Sequence, residues 1–460
     1  MALFGLIDAE SYDTTRFKNH RRQILYSSPM GAAPLTALLS LCEEDSTDDP
    51  EFRWEETRIP AIASVLANIS TTVVFGSTGT ISSAGAITAV TAASGDITVA
   101  ANDTLYFCVA DRTNFSLNML LRVEGIILSS GTADLVGVVI GLGTVSSKQY
   151  VAVKVIAGAG TYDYDAAQAG KYVTGIGMAA AEGSLAIETG SHTLPVEPLN
   201  YTQIHKYNYQ ITGTGLKTAV KYDELGPFPD QAKQNAMNFA RLLEFNFLWG
   251  ERSKVADSSN NNRLRRTSGG LLWHMRQWEA ADSTYRGSGS AAATVNTDDN
   301  KRILDLSSTT LTYKLLLSYL ERTTRTTGGS NTSNELLCYC GNQALLKLQE
   351  LLTGQVQITT TGRSKDTFQI DFVKIVTPLK TLMLQSHPLF NENPLLRTSV
   401  LALEPGNLTY RYLEGRDMQV VENQQPNNAD WREDGWLAEC GLEVHYPEKF
   451  LMIKNLIAVE

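Results

Sequence analysis

Through Gly226–Gly250, GPFPDQAKQNAMNFARLLEFNFLWG, apolar positions recur at steps of three and four. Ala232, Ala236, Ala240, Leu243 and Phe247 fall on one side, and Phe239, Leu242, Phe245 and Trp249 on a second. That period predicts an α-helix. Pro227 and Pro229 stop extended chain before it, Asp230 places negative charge at its start, and Gly250 supplies the stop. A helix apolar over most of its circumference has to be covered by other elements.

Other stretches alternate instead. In FRWEETRIP (Phe52–Pro60), Phe52 and Trp54 share one face. In YTQIHKYNYQITGTG (Tyr201–Gly215), Tyr207, Tyr209 and Ile211 lie opposite Lys206, Asn208, Gln210 and Thr212. These two strands are expected to pair as a long ribbon leading into the helix; a bare two-stranded ribbon is marginal in water and wants a partner surface. Between them, at about 61–198, come the short β-branched runs STTVVFG, AITAVTA, DITVAA, TLYFCVA, MLLRVEGIIL, LVGVVIG and YVAVKVIAG, punctuated by Gly, Ser, Asn and Asp. They predict a small antiparallel β domain inserted in the ribbon.

Beyond the helix, SKVADSSNNNRLRRTSGG (Ser253–Gly270) reads as a polar loop with Arg263, Arg265 and Arg266 clustered, and Gly287–Asn300 as a second loose stretch. A helix is expected from about Leu311 to Arg325. ELLCYCGNQALLKLQELL reads as strand, Asn342 cap and helix, and from Gln355 onward the pattern is mostly strands. Strands and helices do not alternate regularly, so the fold class is α+β rather than a doubly wound sheet.

A chain of 460 residues suggests roughly three domains. The charged fraction of 19% and plentiful Gly, Ser, Thr and Ala favour folded, β-rich material over disorder. A net charge of -10 argues against a protein that grips phosphates, though not against one that lies beside nucleic acid without holding it. The five cysteines, Cys42, Cys108, Cys338, Cys340 and Cys440, are scattered and form neither a disulfide framework nor a zinc pattern, so buried free thiols are expected. No apolar run is long enough for a membrane span, the start lacks a signal peptide, and the chain reads as cytoplasmic when made. Residues 1 to about 50 hold the basic group Arg16, Lys18, His20, Arg21 and Arg22, the apolar run Pro34–Leu41 and the acidic run EEDSTDDPE. They have too little apolar sequence for a core and are expected to be ordered by docking on something else.

No catalytic constellation is present. GTGLKT (Gly213–Thr218) lacks the spacing of a phosphate-binding loop, and GIGMAA (Gly175–Ala180) lacks the βαβ context of a dinucleotide site. The six histidines stand singly, without the i, i+4 pairing of a metal site. Carboxylates at Glu43–Asp49 read as solvated or as arm contacts. No enzyme, cofactor or metal is expected. The arginine groups at 16–22 and 263–266 read as surface charge, with salt bridging between subunits or light contact with nucleic acid as the sharper alternatives; neither has the aromatic interleaving of a single-strand binder.

A coreless arm, a ribbon, a central apolar helix and then a mixed domain, in this order, resemble the major capsid proteins of tailed bacteriophages, the Hong Kong 97 fold, in a branch with a β insertion. The stretches that carry the resemblance run from about Pro34 to the C-terminus. They are PLTALLSL followed by FRWEETRIP, EGSLAIETG leading to NYTQIHKYNYQITGTG, LLEFNFLWGERSK leading to RRTSGGL, FQIDFVKIVTPL, and LEVHYPEKFLMIKNL.

The resemblance implies an N-terminal arm at about 1–50 and an extended loop at 51–220 carrying the insertion. It also implies a peripheral domain at 221–305 and 402–460 with a spine helix at 230–249, and an axial domain at 306–401. It implies self-assembly into hexamers and pentamers of an icosahedral shell around double-stranded DNA, put together in the host cytoplasm and retained in the virion. Copies of this chain and a portal protein are the implied partners, with a cement or decoration protein, weak non-specific contact with packaged DNA, and no membrane; the resemblance does not fix the insertion's role. Because the chain starts directly with the arm, a separate scaffolding protein or none is expected. No Lys–Asn pair for covalent links between subunits can be placed, and none is expected.

Arg16, Lys18, Arg21, Arg22, Phe52, Trp54, Tyr207, Tyr209, Arg263, Arg265 and Arg266 are the candidate inter-subunit contacts. Basic arm and acidic run are expected to pair across subunits, so that assembly weakens with salt. The alternatives are an encapsulin-type compartment on the same fold, a β-rich surface module that binds glycans, and an enzyme with an unrecognised site.

Overall fold

The computed structural model describes residues 43–456 except 58–62, 163–170, 183–193, 219–226, 281–284, 286–300, 325–334, 354–363, 366–370 and breaks of one to three residues between 66 and 181. The basic group Arg16, Lys18, Arg21 and Arg22 and the apolar run Pro34–Leu41 lie outside the described residues.

A seven-stranded sheet runs in the order Ile303–Asp305, Leu451–Lys454, Val400–Leu403, Glu335–Cys340, Thr381–Ser386, Asp371–Val376 and Ser364–Lys365. Its centre is buried on both faces. From Glu335–Cys340, Leu337 and Tyr339 enter a core shared with the long helix Pro227–Trp249 and the helix Leu271–Glu279. Leu336, Cys338 and Cys340 enter a second core with the helices Tyr313–Thr324 and Asn342–Thr353. A strand covered twice needs apolar residues at every position, which is why this segment reads LLCYC rather than alternating.

The long helix matches its periodicity, but only Phe239, Leu243, Glu244, Phe247 and Leu248 are buried. Leu242, expected to fill a second side, is 50% exposed. The covered stripe is narrower than the apolar circumference.

The ribbon expected from FRWEETRIP and Tyr201–Gly215 does not form. Glu51–Arg53 pairs with Leu199–Tyr201 instead, followed by a bridge between Glu56 and Val196. Gln203–Thr212 keeps its alternation, with Tyr209 buried and its neighbours exposed, yet pairs over ten residues with Trp431–Val444, from Gln203↔Cys440 to Thr212↔Trp431. That sheet continues through Leu408–Leu413 to Glu43–Thr47, which joins as a parallel edge strand. The acidic run, read as solvated or as an arm contact, begins as a strand whose residues Glu43–Ser46 are exposed, with Asp45 paired to Arg411.

Residues 63–178 build a ten-stranded sheet with its own cores. From Thr104–Val109, Leu105, Phe107 and Val109 face one cluster and Tyr106 and Cys108 the other. The sheet curls until Ala86 bridges Leu142, and at Gly143 a Cβ would stand 2.5 Å from the Ile87 carbonyl oxygen, so no larger residue fits there. The GIGM of GIGMAA ends its strand Tyr172–Met178, and GTGLK of GTGLKT forms the short helix Gly213–Lys217, with Thr212 as N-cap and Thr218 as C-cap.

Candidate assembly interface

The two strands entering and leaving the 63–178 unit are locked to the body by two buried polar side chains. Asn200 Nδ2 donates to the Leu442 carbonyl at 2.7 Å and the Gly269 carbonyl at 2.9 Å, and its Oδ1 accepts from Gly269 N at 2.8 Å and Tyr201 N at 2.9 Å. One amide thereby satisfies groups on three segments that have no ladder to share. Glu56 accepts from Trp54 Nε1 at 2.9 Å and from Tyr446 N at 3.1 Å. The Phe52 ring lies where a Cβ on Gly441 would meet it at 2.9 Å, so the glycine permits the approach.

This packing uses up three of the candidate contact aromatics. Phe52, Trp54 and Tyr209 are buried within the chain, at 5%, 6% and 6% exposure, Trp54 against His274 and His445 and Tyr209 against Phe228. Their apolar faces belong to the fold, so as surface contacts those three assignments are corrected. Tyr207 is half-buried against the main core.

The arginine group has the opposite fate. Ser253–Asp257 and Arg263–Thr267, expected to be a loop, form an antiparallel hairpin. Asp257 caps its turn by accepting from Ser259 N and Oγ, and Asn261 and Asn262 adopt positive φ. The Ser259 hydroxyl, foremost, holds the Asp257 carboxyl below the usual carboxylate range, with Arg265 at 2.5 Å adding to it. Arg263 and Arg265 are exposed and Arg266 is half-buried.

Val255 is 59% and Leu264 53% exposed. They sit one register step apart, on opposite faces of the hairpin. A two-stranded hairpin with both faces open has little of its own to hold it rigid. It lies beside the edge strand Gln203–Thr212, where exposed Ile204 and the buried Thr202 and Glu439 help to line a cleft of about 180 Å³ with Arg263, Leu264 and Arg265.

A second open apolar face runs along the long helix. Leu242 and Leu395 are 50% and 75% exposed, and Phe245, Asn246, Trp249, Asn393 and Leu396 line a cleft of about 470 Å³. Arg241 pairs with Glu392 between the long helix and the short helix Pro388–Glu392. Apolar surface gathered in patches of this kind marks sites of protein contact.

The titratable interior points to structure. Burial pushes the thiols up, Cys108 to about 11 and Cys338 and Cys440 to about 12, so they stay protonated and unreactive. Burial pulls His274 down to about 3 and His205 to about 4. Among the described residues no group of three or more His, Cys, Asp or Glu is placed to hold a metal. No described helix is long and apolar enough to cross a membrane.

Sequence reading missed Asn200, Glu56, Leu395 and the hairpin. Asn261-Asn262 was the local signal for the turn; the two buried polar residues carry none, since the partners that tie them to the body, Gly269, Leu442 and Tyr446, lie far along the chain.

The family model described as SU10 major capsid protein matches residues 10–457. No curated protein matches the chain. Among solved structures, the cyanophage A-1(L) capsid asymmetric unit is 14% identical, over 61% of this chain and 85% of that one, with a TM-score of 0.40. The capsid of the native GTA particle is 10% identical, over 62% and 82%, at 0.37. The holo-SrpI encapsulin complex from Synechococcus elongatus PCC 7942 is 12% identical, over 58% and 77%, at 0.31. At these scores the likenesses add nothing to the family match.

Proposed function

This chain belongs to the SU10 major capsid protein family, and from that premise we propose that it closes into an icosahedral shell of hexamers and pentamers around double-stranded DNA. The match over 10–457 carries the reading, because it takes in nearly the whole chain rather than one module. In this reading residues 1–50 are an arm laid over a neighbour, 51–220 an extended loop carrying the β unit, 221–305 with 402–460 the peripheral part, and 306–401 the axial part.

Two surfaces support it. The hairpin with Arg263 and Arg265 and the long-helix face, with exposed Leu242 and the cleft lined by Phe245, Trp249 and Leu396, both present apolar groups that the described residues leave uncovered. Each contact can be modest, since a subunit engages several neighbours at once and avidity multiplies them. The acidic total charge suits a lining along which DNA slides.

Electron microscopy and sedimentation of the full chain, with and without its scaffolding partner, test the proposal. Closed shells or rings of five and six support it. A monomer under every salt and scaffold condition refutes it. Closed shells that load protein rather than DNA would move the reading to a compartment.

A further inference from the structure

Two neighbouring segments carry the chain from one large sheet to the other. Glu404–Asn407 connects Val400–Leu403 of the seven-stranded sheet to Leu408–Leu413 of the five-stranded one. His445–Phe450 makes the return crossing, from Trp431–Val444 to Leu451–Lys454. The crossings touch: His445 N donates to the Asn407 carbonyl at 2.9 Å.

The two crossings carry four buried polar side chains, Glu404, Asn407, Glu448 and Lys449, at 1%, 2%, 1% and 1% exposure. Asn407 Nδ2 donates to Glu404 Oε2 at 2.8 Å, and Lys449 Nζ stands 3.4 Å from the same oxygen. A primary amine and a carboxamide thus meet at one carboxylate oxygen, shielded from water.

We propose that Lys449 and Asn407 join in an intrachain isopeptide bond, with Glu404 as the proton carrier. Nζ forms a bond to Cγ of Asn407, and the Cγ–Nδ2 bond breaks. Nζ begins as an ammonium with three protons and ends as an amide with one. The other two protons pass in turn through Glu404 to Nδ2, which leaves as ammonium, and Glu404 ends as it began, a carboxylate. No oxidant, metal or cofactor is consumed.

The surroundings favour the product. Lys380, also buried, is acted on by both Glu404 and Lys449; burial, foremost, pulls its amine below the usual value, with Lys449 adding and Glu404 opposing. Converting Lys449 to a neutral amide removes its repulsion of the buried Lys380 amine, which Glu404 continues to attract. The bond would staple both crossings and resist shear between the two sheets. It lies within one chain, so denatured protein still runs as a monomer.

The test is mass spectrometry of the full-length protein, freshly made and from assembled particles. The proposal expects a mass lower by one ammonia, about 17 Da, and a branched tryptic peptide joining 398–411 to 433–454 through Asn407 and Lys449. Glu404→Gln, which keeps both reacting groups, is expected to retain the full mass, as is Lys449→Arg. Full mass with separate peptides in both wild-type preparations overturns the proposal, whether or not the variants fold. So does a branch at Lys380, or loss of ammonia without the branched peptide. A Glu404→Gln chain that still forms the branch overturns the role given to Glu404.

Discussion

Replacing Asn200 with alanine is expected to release the 63–178 unit from the body while leaving the main core intact. The side chain is fully buried, and its amide satisfies four backbone groups: the carbonyls of Leu442 and Gly269 and the N–H groups of Gly269 and Tyr201. Truncation strands all four in a site from which water is excluded. At about 1 kcal/mol each, near the low end for a buried group left without its partner, the loss is about 4 kcal/mol. That is close to three powers of ten in a local opening equilibrium.

Hydrogen exchange reads this directly, because the Gly269 amide bonds to the Asn200 side chain. In Asn200→Ala its exchange, with that of Tyr201, is expected to accelerate by about a thousandfold. Amides of Leu337 and Tyr339 in the central strand serve as the unaffected reference. Asn200→Asp, which keeps the acceptor but turns an oxygen toward two carbonyls, is expected to be no better than alanine. Unchanged protection at Gly269 and Tyr201 in the alanine variant would refute the claim that this amide holds the junction.

Reversing Arg263 and Arg265 together to glutamate is expected to reduce shell yield in sedimentation while shifting monomer stability by no more than about 0.5 kcal/mol, since both side chains are exposed; shells formed at the normal yield would remove the hairpin from the interface. Burial depresses His274 to about 3 and His205 to about 4, from an ordinary value of 6.5. The unfolded chain then takes up both protons first, so stability is full above 6.5 and falls as pH drops toward those values. Between pH 6.5 and 5 each contributes about 2 kcal/mol, read as a falling urea midpoint that His274→Gln makes shallower; an equal slope in that variant counts against the assignment. Glu443 is also held below its ordinary 4.5, its burial opposing and His445 and Arg411 outweighing it, so its contribution is present above 4.5 and lost below; Glu443→Gln is expected to flatten that acid limb. Cys108, Cys338, Cys340 and Cys440 are expected to resist a thiol reagent until denaturant is added, and labelling of the native chain would place one of them at a surface.

Much of this protein is written locally. The helix at Pro227–Trp249, the strands inside 61–198 and the twice-covered run LLCYC follow from periods of 3.6, two and one, which neighbouring residues set by themselves. The scattered cysteines likewise read as buried free thiols, as the four described ones are, and the order of elements pointed to a capsid fold. Partner choice was not legible. Gln203–Thr212 alternates identically whether its neighbour is Phe52–Pro60 or Trp431–Val444, because alternation records only that one face is buried. Whether Trp54 serves an interface or a core depends on what distant segments bring beside it, here His274 from the helix Leu271–Glu279 and His445 from the return crossing. Likewise Glu404, Asn407 and Lys449 are ordinary polar residues in sequence, and become a reactive trio only where two crossings between sheets place them around one oxygen atom. Local backbone and side-chain preferences set the elements; burial and hydrogen bonding between segments hundreds of residues apart decided which surfaces were spent within the chain and which remain for its neighbours.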